Sequence, residues 1–226
     1  MSFNIAIDGP AGAGKSTIAK LAAKELSFIY VDTGAMYRTI ALALLRAHTD
    51  IEDAEALGAA LAQIEVGISY EDGVQQVYLN GENVSGLIRT EEVSDMTSRS
   101  SAKPQVRAKL TDLQRDLARR ENVLMDGRDI GTMILPQAQL KIFLTASVRT
   151  RAERRYRELA GRGEVCTLQE IEQDIEERDY RDSHRETAPL RQAEDAVLID
   201  SSDLTVDEVV RRIVELAKAR MDSAWK

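Results

Sequence analysis

The sequence predicts an α/β protein built on a parallel sheet with helices on both faces, carrying a small antiparallel-sheet insertion and a helical lid. Three observations predict it. Short apolar runs of strand character alternate with amphipathic helical stretches, the pattern of a doubly covered parallel sheet. One segment breaks that rhythm with period-2 alternation around two turn dipeptides. An arginine-dense stretch follows in the second half. With 226 residues and 43% apolar content, the chain can bury one α/β core with small insertions.

The strand-like runs are Phe3 to Ile7, Phe28 to Val31, Asn122 to Met125, Leu140 to Leu144 and Ala196 to Ile199. Between them, Ile18, Leu21, Ala22 and Leu26, then Val106, Leu110, Leu113 and Leu117, form stripes at helical spacing. Pro104 suits the first turn of the second of these helices. Two capping boxes, Thr167 with Glu170 and Thr205 with Glu208, mark further helix starts. Val66 to Tyr70 and Val74 to Leu79 alternate around Asp72-Gly73, and Asn80-Gly81 then leads into Glu82 to Val84. That reads as an antiparallel meander. The expected layout is one domain, with core segments 1–33, 103–150 and 190–226, an insertion over about 34–102 and a lid over about 151–189.

Composition removes several classes of function. The longest apolar run is too short to span a membrane, and Met1 leads directly into strand-like residues with no signal-type region, so a cytoplasmic protein is expected. A single cysteine, Cys166, excludes an internal disulfide and a cysteine metal cluster. A net charge of −8 argues against a nucleic acid polymer as partner. Any anionic substrate must be held by local arginines. His48 and His184 have no partners in the pattern that suggest catalysis or metal binding.

Gly9-Pro10-Ala11-Gly12-Ala13-Gly14-Lys15-Ser16 fits G-x-x-x-x-G-K-[ST] between a strand and an amphipathic helix, the context a phosphate-binding loop requires. Its backbone N–H groups wrap phosphates, and the helix N-terminus favours negative charge there. Lys15 should reach the β- and γ-phosphates of ATP, Ser16 should ligate Mg²⁺, and Thr17 can add a phosphate contact. The core is therefore a parallel-sheet P-loop core. The guanine-reading tetrapeptide Asn/Thr-Lys-x-Asp is missing, which weakens a GTPase switch. Instead the second strand runs into Asp32-Thr33-Gly34-Ala35-Met36-Tyr37-Arg38 and the third into Asp126-Gly127-Arg128-Asp129. Both lie at the carboxyl edge of the sheet, where open α/β folds bind ligands. Arg38 and Arg128 suit an acceptor phosphate, while Asp126 and Asp129 remain interchangeable between serving Mg²⁺ and reading the acceptor.

Ten arginines lie between Arg149 and Arg191, and glutamates interleave them as on a solvated helix face. Beside a triphosphate the same arginines suit a closing lid. Arg178, Asp182 and Arg185 recur about one turn apart and can share a face.

These motifs together make the chain resemble the bacterial cytidylate kinases, nucleoside monophosphate kinases of the P-loop class. The resemblance rests on the P-loop segment, Asp32 to Arg38, Asp126-Gly127-Arg128-Asp129-Ile130-Gly131-Thr132, Glu177-Arg178-Asp179 with Arg181-Asp182, and Val84 to Thr90. It implies transfer of the γ-phosphate of Mg-ATP to CMP and dCMP. It further implies that Tyr37, Arg38 and Arg128 contact the acceptor phosphate, with Asp32 and Thr33 beside them. Ser98, Arg107, Asp126 and Asp129 would read cytosine. Arg178, Asp182 and Arg185 would meet sugar and phosphates from the lid, and Arg154 would join the ATP-binding residues. Lys15, Arg128, Arg178, Asp182 and Arg185 form the expected catalytic set, in a protein expected to be a monomer. The rival reading is a P-loop kinase for another small acceptor: UMP, AMP, shikimate or dephospho-coenzyme A.

Overall fold

The computed structural model describes residues 2–224. The chain forms two compact units, residues 1–30 with 121–226 and residues 31–120. Its strands are β1 (Asn4–Asp8), β2 (Ile29–Asp32), β3 (Val66–Glu71), β4 (Val74–Leu79), β5 (Glu82–Asn83), β6 (Val123–Gly127), β7 (Leu140–Thr145) and β8 (Val197–Asp200). Its helices are α1 (Lys15–Leu26), α2 (Thr33–Arg46), α3 (Ala54–Ala62), α4 (Glu91–Ser100), α5 (Pro104–Arg120), α6 (Val148–Gly161), α7 (Leu168–His184) and α8 (Val206–Ala224). A π-type turn covers Ile130–Ile134.

The five-stranded sheet has the order β2-β6-β1-β7-β8, and the boundary between the units falls within β2. In the first unit β1 runs parallel to both β6 and β7, with Asp8 opposite Gly127 on one side and Phe143 on the other. The central strand has continuous apolar character because it is buried on both faces. α1 supplies Ile18, Ala19, Ala22 and Ala23, and α8 supplies Val209, Val210, Ile213, Val214 and Ala217, to one core with Ile5, Ile7, Leu124, Ile142 and Ile199. Those spacings put each set on one helical face. Burial of each large side chain contributes roughly 1.5–3 kcal/mol, so a charge at Ile213 would break the face. α6 and α7 share a smaller cluster, Ala152, Leu159, Ile171 and Ile175, and the Thr167–Glu170 capping box starts α7.

In the second unit, β3, β4 and β5 form the antiparallel meander. Asp72 and Gly73 have φ values of 49° and 74°, and Asn80 and Gly81 have 50° and 86°. Two consecutive residues in the left-handed region define the turn that matches strand twist in a two-residue hairpin. α2 packs against α4, α5 and β4, and α5 also packs against α3. α5 thus lies in this unit, whereas the sequence reading grouped it with the core segment starting at residue 103. Its apolar partners are far away in sequence and invisible to local periodicity.

Candidate active site

β1 delivers the chain into Gly9 at the edge of the sheet. A Cβ on Gly9 would lie 1.9 Å from the Leu144 carbonyl oxygen, so only glycine fits where the loop crosses β7. Gly12 has φ +75°, and its Cα faces Arg151, whose Cβ would be 3.3 Å from an added methyl. Gly14 caps α1 in the left-handed region and offers no side chain to the first turn. The helix therefore starts with its N–H groups directed at whatever anion the loop holds.

Lys15 is buried and donates from Nζ to the Pro10 carbonyl at 2.7 Å. Burial, then the neighbouring Arg128, pull its pKa well below the usual lysine value, against the opposing pull of Asp126, Asp182 and Asp8. Ser16 and Thr17 are exposed in the same turn. The Ser16 hydroxyl donates to Asp126 Oδ2 at 2.8 Å, and Tyr30 donates to Asp126 Oδ1 at 3.1 Å. This pairs the loop's hydroxyl with the carboxylate that ends β6. No cluster of three or more His, Cys, Asp or Glu able to hold a metal exists among the described residues. A hydroxyl with one carboxylate behind it suits Mg²⁺, which takes few protein ligands and completes its shell with water and phosphate.

Arg128 donates from Nε to Asp182 Oδ2 at 2.9 Å. Burial tends to raise the Asp182 carboxyl, but Arg128, Arg178 and Arg185 outweigh it and hold it below the ordinary aspartate value. Arg185 donates to the Ala188 carbonyl at 2.7 Å and faces Asp129 at 3.5 Å, both side chains almost fully buried. The C-terminal end of α7 and the β6 motif are therefore one network, through Asp182 with Arg128 and Arg185 with Asp129. Arg154 binds the Ser201 carbonyl at 2.7 Å, and its Nη1 lies about 4.0 Å from where a Cβ of Gly14 would be. That sets it beside the P-loop.

Arg151 is a functional candidate that sequence reasoning passed over. It is 3% exposed and donates to the carbonyls of Ala146 and Ala11 at 3.0 Å each, and to both oxygens of Asp179 at 2.5 and 3.1 Å. The only available signal was its spacing of three residues from Arg154. Asp8, buried at the end of β1, is another.

The second unit holds the remaining candidates. Asp32 caps α2 by accepting from the Ala35 N–H at 2.9 Å, and its other oxygen takes Arg89 at 3.0 Å. Gln75 of β4 grips the Asp32 backbone at both ends, accepting from its N–H and donating to its carbonyl. The sequence assigned no role to Gln75, nor to Arg89 beyond its place in the Val84 to Thr90 segment. Thr33 is buried in the first turn of α2. Arg38 donates to Ser94 Oγ at 2.6 Å and Ile88 O at 3.4 Å. The Arg107 guanidinium lies 5.5 Å from the Tyr37 ring centroid, within cation–π range, and donates to the Ser101 carbonyl at 3.3 Å. Ser101 in turn donates to the Ser98 carbonyl, and the buried Ser98 hydroxyl has no hydrogen-bond partner among the described residues. Tyr37, Ser98 and Arg107 thus surround the end of α4.

A strand–glycine loop–helix with Lys15 and Ser16 in place, followed by Arg128 just past a second strand and arginines on a helix pair, defines a P-loop kinase. Solved structures of similar fold include a gluconokinase from Sinorhizobium meliloti 1021, with TM-score 0.51, 15% identity, and coverage of 99% of this chain and 96% of that one. Shikimate kinase from Bacteroides thetaiotaomicron gives TM-score 0.50 and 15% identity, covering 96% and 98%. The family model described as cytidylate kinase matches residues 5–219. Cytidylate kinase of Streptococcus pneumoniae (strain 70585) is 50% identical over 222 residues, 97% of this chain and 99% of the relative. That of Lactobacillus gasseri is 48% identical over 218 residues, 96% and 95%. The chain belongs to the cytidylate kinase family.

Proposed function

We propose that this protein transfers the γ-phosphate of ATP to CMP and dCMP, giving the diphosphate and ADP. The observation that carries the reading is the Ser16–Asp126 bond, since it joins the donor loop to the motif Asp126-Gly127-Arg128-Asp129 on the adjacent strand of one sheet. Family membership supplies the acceptor class.

An attacking phosphate oxygen needs no protein nucleophile, so the protein's work is alignment and charge neutralisation. Lys15 leaves Pro10 O for the β- and γ-phosphates. Ser16 and Asp126 would hold Mg²⁺, which would supply charge neutralisation at the phosphates. Arg128, Arg178 and Arg185 neutralise the transferring group, with Asp182 orienting Arg128. Tyr37 and Arg38 hold the acceptor phosphate, with Asp32 and Thr33 at the start of the same helix. Arg107 donates to cytosine N3 or O2, and Ser98 with Asp129 accepts from N4. Arg154 lies along ATP. The segment 151–189 acts as a lid over a core and a monophosphate-binding insertion, and the protein works as a cytoplasmic monomer.

The decisive test is an acceptor screen with coupled detection of ADP. CMP and dCMP should support turnover, and AMP, shikimate and dephospho-coenzyme A should not. ATP hydrolysis of equal rate without any acceptor would sink the kinase reading in favour of a nucleotide-driven binding module.

A further inference from the structure

Asp8 is a buried carboxylate that the proposed chemistry does not use. It ends β1 immediately before Gly9 and is 4% exposed. Its two oxygens accept from consecutive main-chain N–H groups, Oδ1 from Ile130 and Oδ2 from Gly131, each at 2.7 Å. Those amides open the π-type turn that follows Asp129, and the Asp129 carbonyl accepts from Met133 and Ile134 at 2.8 and 3.2 Å. The backbone on the far side of Asp129 is therefore tied at both its donors and its acceptor. Gly131 leaves room for the arrangement: a Cβ there would be 3.3 Å from Asp8 Oδ2 and 3.2 Å from Lys141 Cδ.

An apolar residue would satisfy the core at this position without the desolvation of a carboxylate. What only a carboxylate supplies is a rigid two-point acceptor for adjacent amides, with charge-assisted strength. We propose that Asp8 is a positioning residue for phosphoryl transfer, a clamp that fixes Arg128 and Asp129 relative to the P-loop by holding the backbone just beyond them. It rests on the reading above of those two residues as acceptor-side groups. Through it the donor loop and the acceptor motif share one anchor, because Asp8 belongs to the strand that launches the loop.

Asparagine at this position keeps one acceptor but turns an amino group toward the second N–H, so one half of the clamp is lost at nearly constant volume. For Asp8→Asn, kcat/KM for CMP should fall about 10- to 100-fold, as for an ångström-scale misplacement of reacting groups. Direct binding of a non-hydrolysable ATP analogue should stay within about twofold of wild type. Amide hydrogen exchange at Ile130 and Gly131 should accelerate together. Wild-type CMP kinetics in a variant with accelerated exchange would overturn the proposal, as would an equal loss of ATP-analogue affinity, which would mark Asp8 as a support for the P-loop alone. If wild type phosphorylates a different acceptor, the substrate reading fails, and the clamp is judged on that acceptor's kcat/KM and the same exchange rates. A variant that does not fold leaves wild type to decide. Burial raises the Asp8 carboxyl to about 6, with the two amides lowering it, Asp129 raising it and Lys15 lowering it; Lys141, whose stem lies against Gly131, directs its ammonium to Asp195. The Ile130 and Gly131 amide resonances should then titrate together near pH 6. Two amides that titrate with different midpoints would overturn the clamp.

Discussion

At the scale of single residues, the site depends on cations held by named oxygens. Lys15 is kept in place by one carbonyl and carries a depressed pKa through burial and then Arg128. Phosphate charge should draw it off that carbonyl. Lys15→Ala should therefore lower kcat by about 10²-fold or more with an unchanged circular dichroism spectrum, and near-normal turnover would remove the residue from the catalytic set. Arg107 tests the base. A charged hydrogen bond contributes about 1.5–3 kcal/mol, so Arg107→Met should lower kcat/KM for CMP roughly 10- to 150-fold and shrink the preference for CMP over UMP. Competition kinetics with the two nucleotides would show it, and ATP affinity should hardly move. What was legible here followed from residue type beside a motif: a lysine in a glycine loop, arginines after strands. The pairing of Arg151 with Asp179 and of Gln75 with Asp32 was not legible, because each acts on a partner brought to it by the tertiary fold.

At the scale of elements, hairpin turns were readable and helix allegiance was not. Asp72-Gly73 and Asn80-Gly81 announce left-handed backbone by composition alone, and the observed φ values match. The strands lie within a residue or so of their apolar runs. The π-type turn could not be read, since its amides are anchored by Asp8, 122 residues earlier. α5 shows a related gap. Its stripe of Val106, Leu110 and Ala118 includes Gln114, fully buried with neither amide atom hydrogen-bonded among the described residues. Removing an unmet buried amide relieves a penalty of about 1–3 kcal/mol, so Gln114→Leu should raise the urea midpoint without changing the slope. A lower midpoint would show that the amide is satisfied by solvent. For α6 and α7, CMP with a non-hydrolysable ATP analogue should protect the arginines between Arg149 and Arg191 from trypsin, and either alone should not. Unchanged cleavage with both bound would rule out a lid.

At the scale of the whole molecule, the fold class and family were readable because the P-loop and the Asp126 to Thr132 segment are local in sequence. Stability carries a pH signature from the buried Asp8. Its carboxyl binds a proton more tightly folded than unfolded, being raised from 3.8 to about 6. That contribution to stability is complete below pH 4 and is lost as pH climbs through 6. Relative to Asp8→Asn, wild type should lose about 3 kcal/mol across that window. Denaturant titrations of both proteins from pH 4 to 7.5 measure the difference, and a gap that stays constant would contradict it.

Arg151 gives the α6–α7 pair a mechanical character. Its guanidinium lies beneath the P-loop, bonded to Ala11 and Asp179, and is shielded from solvent. The ion pairs farther along, Arg155 with Glu158 and Arg162 with Glu158, are about half exposed. Dissolved salt screens exposed pairs and hardly reaches buried ones. Those exposed pairs lie along α6 itself, so the tie between the helix pair and the P-loop is the one that salt should leave in place. Rising ionic strength should weaken the exposed pairs along α6 while the Arg151–Asp179 tie beside the P-loop stays firm.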